Sequence, residues 1–137
     1  MKVCIYTDGA SRGNPGESAS GYLIFDAKHS LLEEEVFYNG VCTNNVAEYK
    51  AIVAALKRAL KEHGNEVELV LHSDSRLVVN QLAGNYKIKD AKLKLLNKEA
   101  RTLLKKFRKY ELLNVPRENK YVSMVDKALN DFLDEQL

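Results

Sequence analysis

The apolar pattern changes period partway along the chain, and that change restricts the fold more than any other feature. Residues 2–8, 19–26 and 33–40 read as three strands in succession. Between them, Gly9-Ala10-Ser11-Arg12-Gly13-Asn14-Pro15-Gly16 reads as a turn-rich loop and Asp26-Ala27-Lys28-His29-Ser30 as a hairpin connection. From Asn44-Asn45 onward the spacing is helical. Tyr49, Ile52, Val53, Leu56 and Leu60 share one face, and His63-Gly64-Asn65 closes the helix with a glycine suited to a C-cap. A buried strand over 67–72 follows, then helices over about 76–83 and 91–107. A strand over about 110–115 stops at Pro116, and a helix over about 120–135 carries Val122, Val125, Leu129, Phe132 and Leu133 on one face. The order is βββαβααβα. Strands joined by short loops pair antiparallel, and strands separated by helices pair through parallel crossovers. The expected fold is α/β: a five-stranded mixed sheet with helices packed on it, in one domain spanning 1–137.

A hydrophobic fraction of 45% and a charged fraction of 29% suit a folded globular chain. No apolar run reaches the roughly 18 residues a membrane helix needs, and the N-terminus lacks a signal-peptide layout, so no membrane association is expected. Cys4 and Cys42 have no metal-ligand spacing and read as small buried hydrophobes of a cytoplasmic protein. His29, His63 and His72 show no ligand spacing either; His72 falls in a buried strand pattern. The net charge of +2 hides an asymmetry: residues 76–120 carry +9 and the remainder −7. The densest block, Lys87 to Lys109, is either a solvated helix face or a footprint for a polyanion.

Four acids occupy unusual places. Asp8 and Asp74 each end an apolar strand pattern, Glu48 opens the long helix, and Asp126 lies inside the last one. If the first and fourth strands are parallel neighbours, Asp8 and Asp74 emerge side by side at carboxyl ends, where open α/β sheets bind ligands. Each acid also has an ordinary structural reading. Glu48 fits a capping box with Asn45 as N-cap, Asp8-Gly9 a turn, Asp74 an N-cap, and Asp126 a solvent-facing helix position. Converged carboxylates, with no Cys or His among them, suit hard ions such as Mg²⁺ or Mn²⁺.

Six stretches, taken together, resemble the type 1 ribonuclease H family, in the compact form found in archaea and some bacteria. They are Tyr6-Thr7-Asp8-Gly9-Ala10-Ser11, Gly13-Asn14-Pro15-Gly16, Thr43-Asn44-Asn45-Val46-Ala47-Glu48, Ser73-Asp74-Ser75, Val115-Pro116-Arg117-Glu118-Asn119 and Val125-Asp126-Lys127-Ala128-Leu129-Asn130. The resemblance implies a sheet covered by helices on both sides. It implies two Mg²⁺ or Mn²⁺ ions held by Asp8, Glu48, Asp74 and Asp126. The implied activity is cleavage of the RNA strand of RNA–DNA hybrids to 5′-phosphate and 3′-hydroxyl ends, with double-stranded RNA as a further substrate in some compact relatives. A monomer is expected.

By the same resemblance Gly9, Ala10, Asn14, Asn44, Asn45 and Ser75 lie along the minor groove, and Thr43 holds a DNA-strand phosphate. The family's arginine two residues before that threonine is replaced by Val41. The helix-and-Trp basic protrusion of larger relatives is missing, and Lys87, Lys89, Lys92, Lys94 and Lys98 stand in as hybrid-binding cations. No His follows His72, so Arg117 and Glu118 take the catalytic-loop position that many relatives fill with His. The stretch from Arg117 to Asp126 is about two residues longer than the family pattern, which makes Asp131 and Asp134 fallback ligands.

Overall fold

The computed structural model describes residues 1–136. Its elements are β1 (Lys2–Gly13), β2 (Gly16–Asp26), β3 (Leu31–Cys42), α1 (Asn44–His63), β4 (Glu68–Ser73), α2 (Arg76–Leu82), α3 (Ala91–Leu104), β5 (Lys109–Asn114) and α4 (Lys120–Gln136). The five strands form one sheet in the order β3-β2-β1-β4-β5. β1, β2 and β3 pair antiparallel, whereas β4 pairs parallel with both β1 and β5. Both the expected element order and the mixed sheet are present.

Alternation along the central strands builds two cores. Val3 and Ile5 of β1, with Leu69 and Leu71 of β4, bury under α1 and α3. Cys4 and Tyr6, with Val70, face the opposite way and bury under Val122, Val125, Leu129 and Leu133 of α4. A period of two in the strands therefore meets the helical spacing of α1 on one side and of α4 on the other. A buried polar chain ties the helices of the first face together. Tyr49 Oη donates to Gln81 Oε1 at 2.7 Å, and Asn97 Nδ2 donates to Tyr49 Oη at 3.1 Å.

The expected loop over Gly9–Gly16 is not a loop. β1 continues through it, pairing Ala10 with Ala19, Ser11 with Ser18 and Arg12 with Glu17, and only Asn14-Pro15 turns. Small and polar residues here suggest a turn, but their backbone groups are satisfied by β2, which itself starts at Gly16 rather than 19. β3 is likewise longer than expected, and α3 stops at Leu104 rather than 107. Both cysteines are buried and unpaired. No described helix is long and apolar enough to cross a membrane.

Candidate active site

The parallel register of β1 and β4 sets Tyr6 beside His72. Two residues further along come Asp8 and, just past the end of β4, Asp74, with one carboxylate oxygen of each within 4.8 Å of the other. Asp8 is still in β1, opposite Gly21 of β2, so the turn reading of Asp8-Gly9 fails. Asp74 follows the last residue of β4, and the cap of α2 is its neighbour Ser75, whose Oγ accepts from Val78 N at 3.2 Å.

Glu48 arrives from above. The N-cap of α1 is Thr43, not Asn45: its Oγ1 accepts from Val46 N at 3.2 Å. Glu48 therefore lies beyond the reach of a capping box, in the second turn, and it is buried. Two devices bring this turn down onto β1. Gly9 leaves no gap, since a Cβ built there would lie 2.4 Å from the Ala47 carbonyl carbon and 2.5 Å from Glu48 N. Ser20, itself bonded by Asn39 Nδ2 at 2.7 Å, donates its hydroxyl to the Ala47 carbonyl at 2.6 Å.

One oxygen from each of Asp8, Glu48 and Asp74 falls within 4.8 Å of the others. Burial is the main reason that the Asp8 carboxyl is pushed up to about 7. The Asp74 and Asp126 charges raise it further, and contacts from Glu48 and the Gly9 amide pull it back. Gly9 N donates to Asp8 Oδ1 at 3.0 Å. Burial, then the Asp8 charge, drives Glu48 well above the usual carboxylate range. Asp74 is also raised by burial, against the pull of the Arg117 guanidinium. Glu48 Oε2 is buried with no hydrogen-bond partner among the described residues. An orphaned carboxylate oxygen beside two further acids is unfavourable for the protein alone. A hard cation is the ligand that removes that cost, so the donor set fits a divalent ion.

Asp126 sits half-buried on α4 and lines the same cavity of about 570 Å³, outside the tight trio. Gly21 allows α4 this close: a Cβ there would lie 3.1 Å from Leu129 Cδ2 and 3.3 Å from Val125 Cγ1. The fallback acids point elsewhere. Asp131 pairs with Lys127 at 2.8 Å, and Asp134 pairs with Arg12 at 2.7 Å. The cavity also gathers Gly9, Ala10, Asn44, Asn45, Ser75 and Arg117.

Other expected residues lie apart. Asn14 and Thr43 line a second cavity of about 420 Å³, which shares Asn45 with the first and adds Val41, Asp90 and Lys92. Asn14 and Asn44 are also architectural. Asn14 Oδ1 accepts from Asn44 N at 3.1 Å, and Asn44 Oδ1 accepts from Ser11 N at 3.0 Å. Glu118, Lys87 and Lys89 are exposed and line neither cavity. Ser11, Arg12 and Asn130 line the first cavity and were not singled out by sequence reasoning. Reading residues 9–16 as a loop hid the first two, and the i, i+4 spacing from Asp126 was the available signal for Asn130.

Known proteins resemble this chain in sequence and in fold. The reverse transcriptase-like family model matches residues 6–128. A bifunctional protein of Mycobacterium tuberculosis is 40% identical over 136 residues, which are 98% of this chain and 36% of that protein. Ribonuclease HI of Halobacterium salinarum is 37% identical over 134 residues, 98% of this chain and 65% of that one. The chain thus spans about a third of the mycobacterial relative and under two thirds of the halobacterial one. Among solved structures, RNase H1 from Halobacterium salinarum NRC-1 superposes with a TM-score of 0.92 at 36% identity, covering 98% of this chain and 99% of that one. LC11-RNase H1, solved in complex with an RNA/DNA hybrid, gives 0.89 at 33% identity, covering 98% of each chain. Fold and clustered acids together define a carboxylate-centred domain of the ribonuclease H class. The chain belongs to the type 1 ribonuclease H family.

Proposed function

We propose that this domain is an endonuclease that hydrolyses the RNA strand of RNA–DNA hybrids, leaving 5′-phosphate and 3′-hydroxyl ends. The observation that carries the reading is the trio Asp8, Glu48 and Asp74, closed to within 4.8 Å around an unpartnered buried oxygen. The hybrid bound to LC11-RNase H1 supports the substrate class.

Asp8, Glu48 and Asp74 would hold one divalent ion, and Asp126 with Asp8 or Asp74 a second; Mg²⁺ or Mn²⁺ there would supply Lewis-acid activation of water and of the leaving oxygen. The chain's own residues do the positioning. Rigid β1 and β4 fix two of the acids, and α1 presses the third into place. Arg117, exposed at the cavity rim beside Asp74, is set to meet a phosphate or the departing strand. Glu118, its exposed neighbour, would act only from outside the cavity.

Recognition follows from short polar groups around the same cavity. Asn44, Asn45 and Ser75 present amide and hydroxyl groups suited to a 2′-hydroxyl, and Gly9 and Ala10 allow close backbone approach. With their Oδ1 atoms engaged in the fold, Asn14 and Asn44 keep their Nδ2 groups for substrate. Thr43 Oγ1 accepts the cap bond yet keeps a proton to donate to a DNA phosphate, and Lys92 brings charge to that cavity where Val41 brings none. Lys87 and Lys89 extend the basic surface beyond it. One copy carries all four acids, which supports a monomer as the working unit, and unpaired buried cysteines support a reducing compartment such as the cytoplasm.

The test is cleavage of an end-labelled hybrid in Mg²⁺ and in Mn²⁺, with double-stranded RNA of the same sequence alongside. Asp8→Asn and Asp74→Asn should each lower the rate by at least about 100-fold. Full activity in either variant overturns the site, and cleavage of double-stranded RNA would widen the substrate class.

A further inference from the structure

Asp126 is held differently from the other three acids. The sheet fixes Asp8 and Asp74, and the first turns of α1 fix Glu48, whereas α4 meets the sheet through apolar contacts. Val125 and Leu129 rest on Gly21. Such contacts are non-directional: they hold the apolar face of α4 on the sheet but make no specific bond to the side of the helix that carries Asp126. Among the described residues, every side-chain hydrogen bond from the sheet to α4 comes from Arg12. Its Nη2 donates to the Asn130 carbonyl at 3.1 Å and to Asn130 Oδ1 at 3.3 Å, and it pairs with Asp134 Oδ1 at 2.7 Å. The Asn130 amide in turn donates to the Asp126 carbonyl at 2.9 Å and to Asp126 Oδ1 at 3.3 Å. Arg12, Asn130 and Asp126 line one cavity.

We infer that Arg12 and Asn130 are positioning residues for the fourth carboxylate, and that the Arg12–Asp134 latch sets how firmly a second divalent ion is held. The inference rests on the two-ion reading above. Asn130 occupies one oxygen of Asp126 and leaves the other for a cation. Arg12 ties the sheet to α4 at Asn130 and Asp134 and so holds the orienting amide. The exposed ion pair with Asp134 adds little stability by itself. Its consequence lies in geometry, because an outer partner that orients a ligand changes metal affinity by about 10–100-fold.

The experiment is calorimetric titration of the whole chain with Mn²⁺ alone, paired with steady-state cleavage of a hybrid. Arg12→Met keeps much of the side chain's bulk and removes every bond to α4. The first binding event, at Asp8, Glu48 and Asp74, should stay as in the wild type. The second should weaken by about tenfold. kcat should fall at unchanged KM for the hybrid. Combined with Asp126→Asn, Arg12→Met should add nothing further to the loss of the second event. Should Arg12→Met fail to fold, Asn130→Ser, which leaves the Arg12–Asp134 pair intact, is put through the same comparison with the same expectation. Equal weakening of both events, a raised KM at unchanged kcat, or no change in the second event overturns the positioning role. A wild type that binds a single ion overturns the two-ion reading instead, and the inference with it.

Discussion

Gly9 is the residue on which the site's spacing turns. It is paired within β1, and what it supplies is the absence of a side chain under the backbone of Ala47 and Glu48. Gly9→Ala must lift α1 or bend β1, at a cost of about 1–3 kcal/mol from overpacking. A shift near 1 Å separates Glu48 from Asp8 and should lower the cleavage rate by about 100-fold while the thermal midpoint falls only a few degrees. A variant with reduced stability and wild-type kcat would show that the trio tolerates displacement. Glu48→Gln acts in the reverse sense. Removing the buried charge takes away both its desolvation and its repulsion of Asp8. The variant should melt above the wild type at pH 8 in a chelating buffer and lose Mn²⁺ binding, both readable by calorimetry. An acid that is costly for the fold and required by the chemistry is the expected signature of a functional position.

At the scale of elements, the helices divide the work. α1 delivers Glu48, α4 delivers Asp126, and α3 with its preceding loop carries the cations. Changing Lys87, Lys89 and Lys92 together to Gln should weaken hybrid binding and flatten the slope of log affinity against log salt by up to about 3. An unchanged slope would mean these lysines only solvate the surface. The element order was legible because helical spacing is unambiguous over a long segment such as α1, and the short apolar run of β4 is bounded by turn residues on either side. The two central acids were legible because parallel pairing of β1 and β4 follows from the crossover between them. What stayed hidden depends on pairing across the chain. The extension of β1 through Gly9–Gly13 is fixed by β2, not by local preference, since Gly, Ser and Asn read locally as turn. The cap fell to Thr43 over Asn45 by a choice among adjacent capping residues that sequence leaves open. The contacts of Gly21 and Arg12 with α4 join residues more than 100 positions apart, and no spacing rule reaches that far.

For the whole molecule, the site makes folding depend on pH in a way opposite to ordinary acid denaturation. Asp8 rises to about 7, and Glu48 and Asp74 rise too, all chiefly through burial. Between the ordinary carboxylate range near 4 and about 7, the folded chain therefore binds more protons than the unfolded one. Stability contributed by these groups is complete at the acid end of that window and is lost as pH climbs through it. His72, pushed down by burial, has the reverse sign: its contribution grows as pH rises toward the ordinary histidine value. The rise of Asp8 from near 4 to about 7 spans the window by itself, and Glu48 and Asp74 add to it in the same sense. In a chelating buffer the thermal midpoint should be higher at pH 5 than at pH 8. Excess Mg²⁺ or Mn²⁺ should raise the pH 8 value and leave the pH 5 value nearly unchanged, because cations bind the ionised folded site and not the protonated one. Asp8→Asn should remove its own share of the pH effect and weaken the cation effect, leaving the part carried by the burial of Glu48 and Asp74. A midpoint that climbs from pH 5 to pH 8 without divalent ions would mean the carboxylates are not buried together in solution. The proposed chemistry needs them buried together, so a melting curve in two buffers tests the active site before any substrate is added.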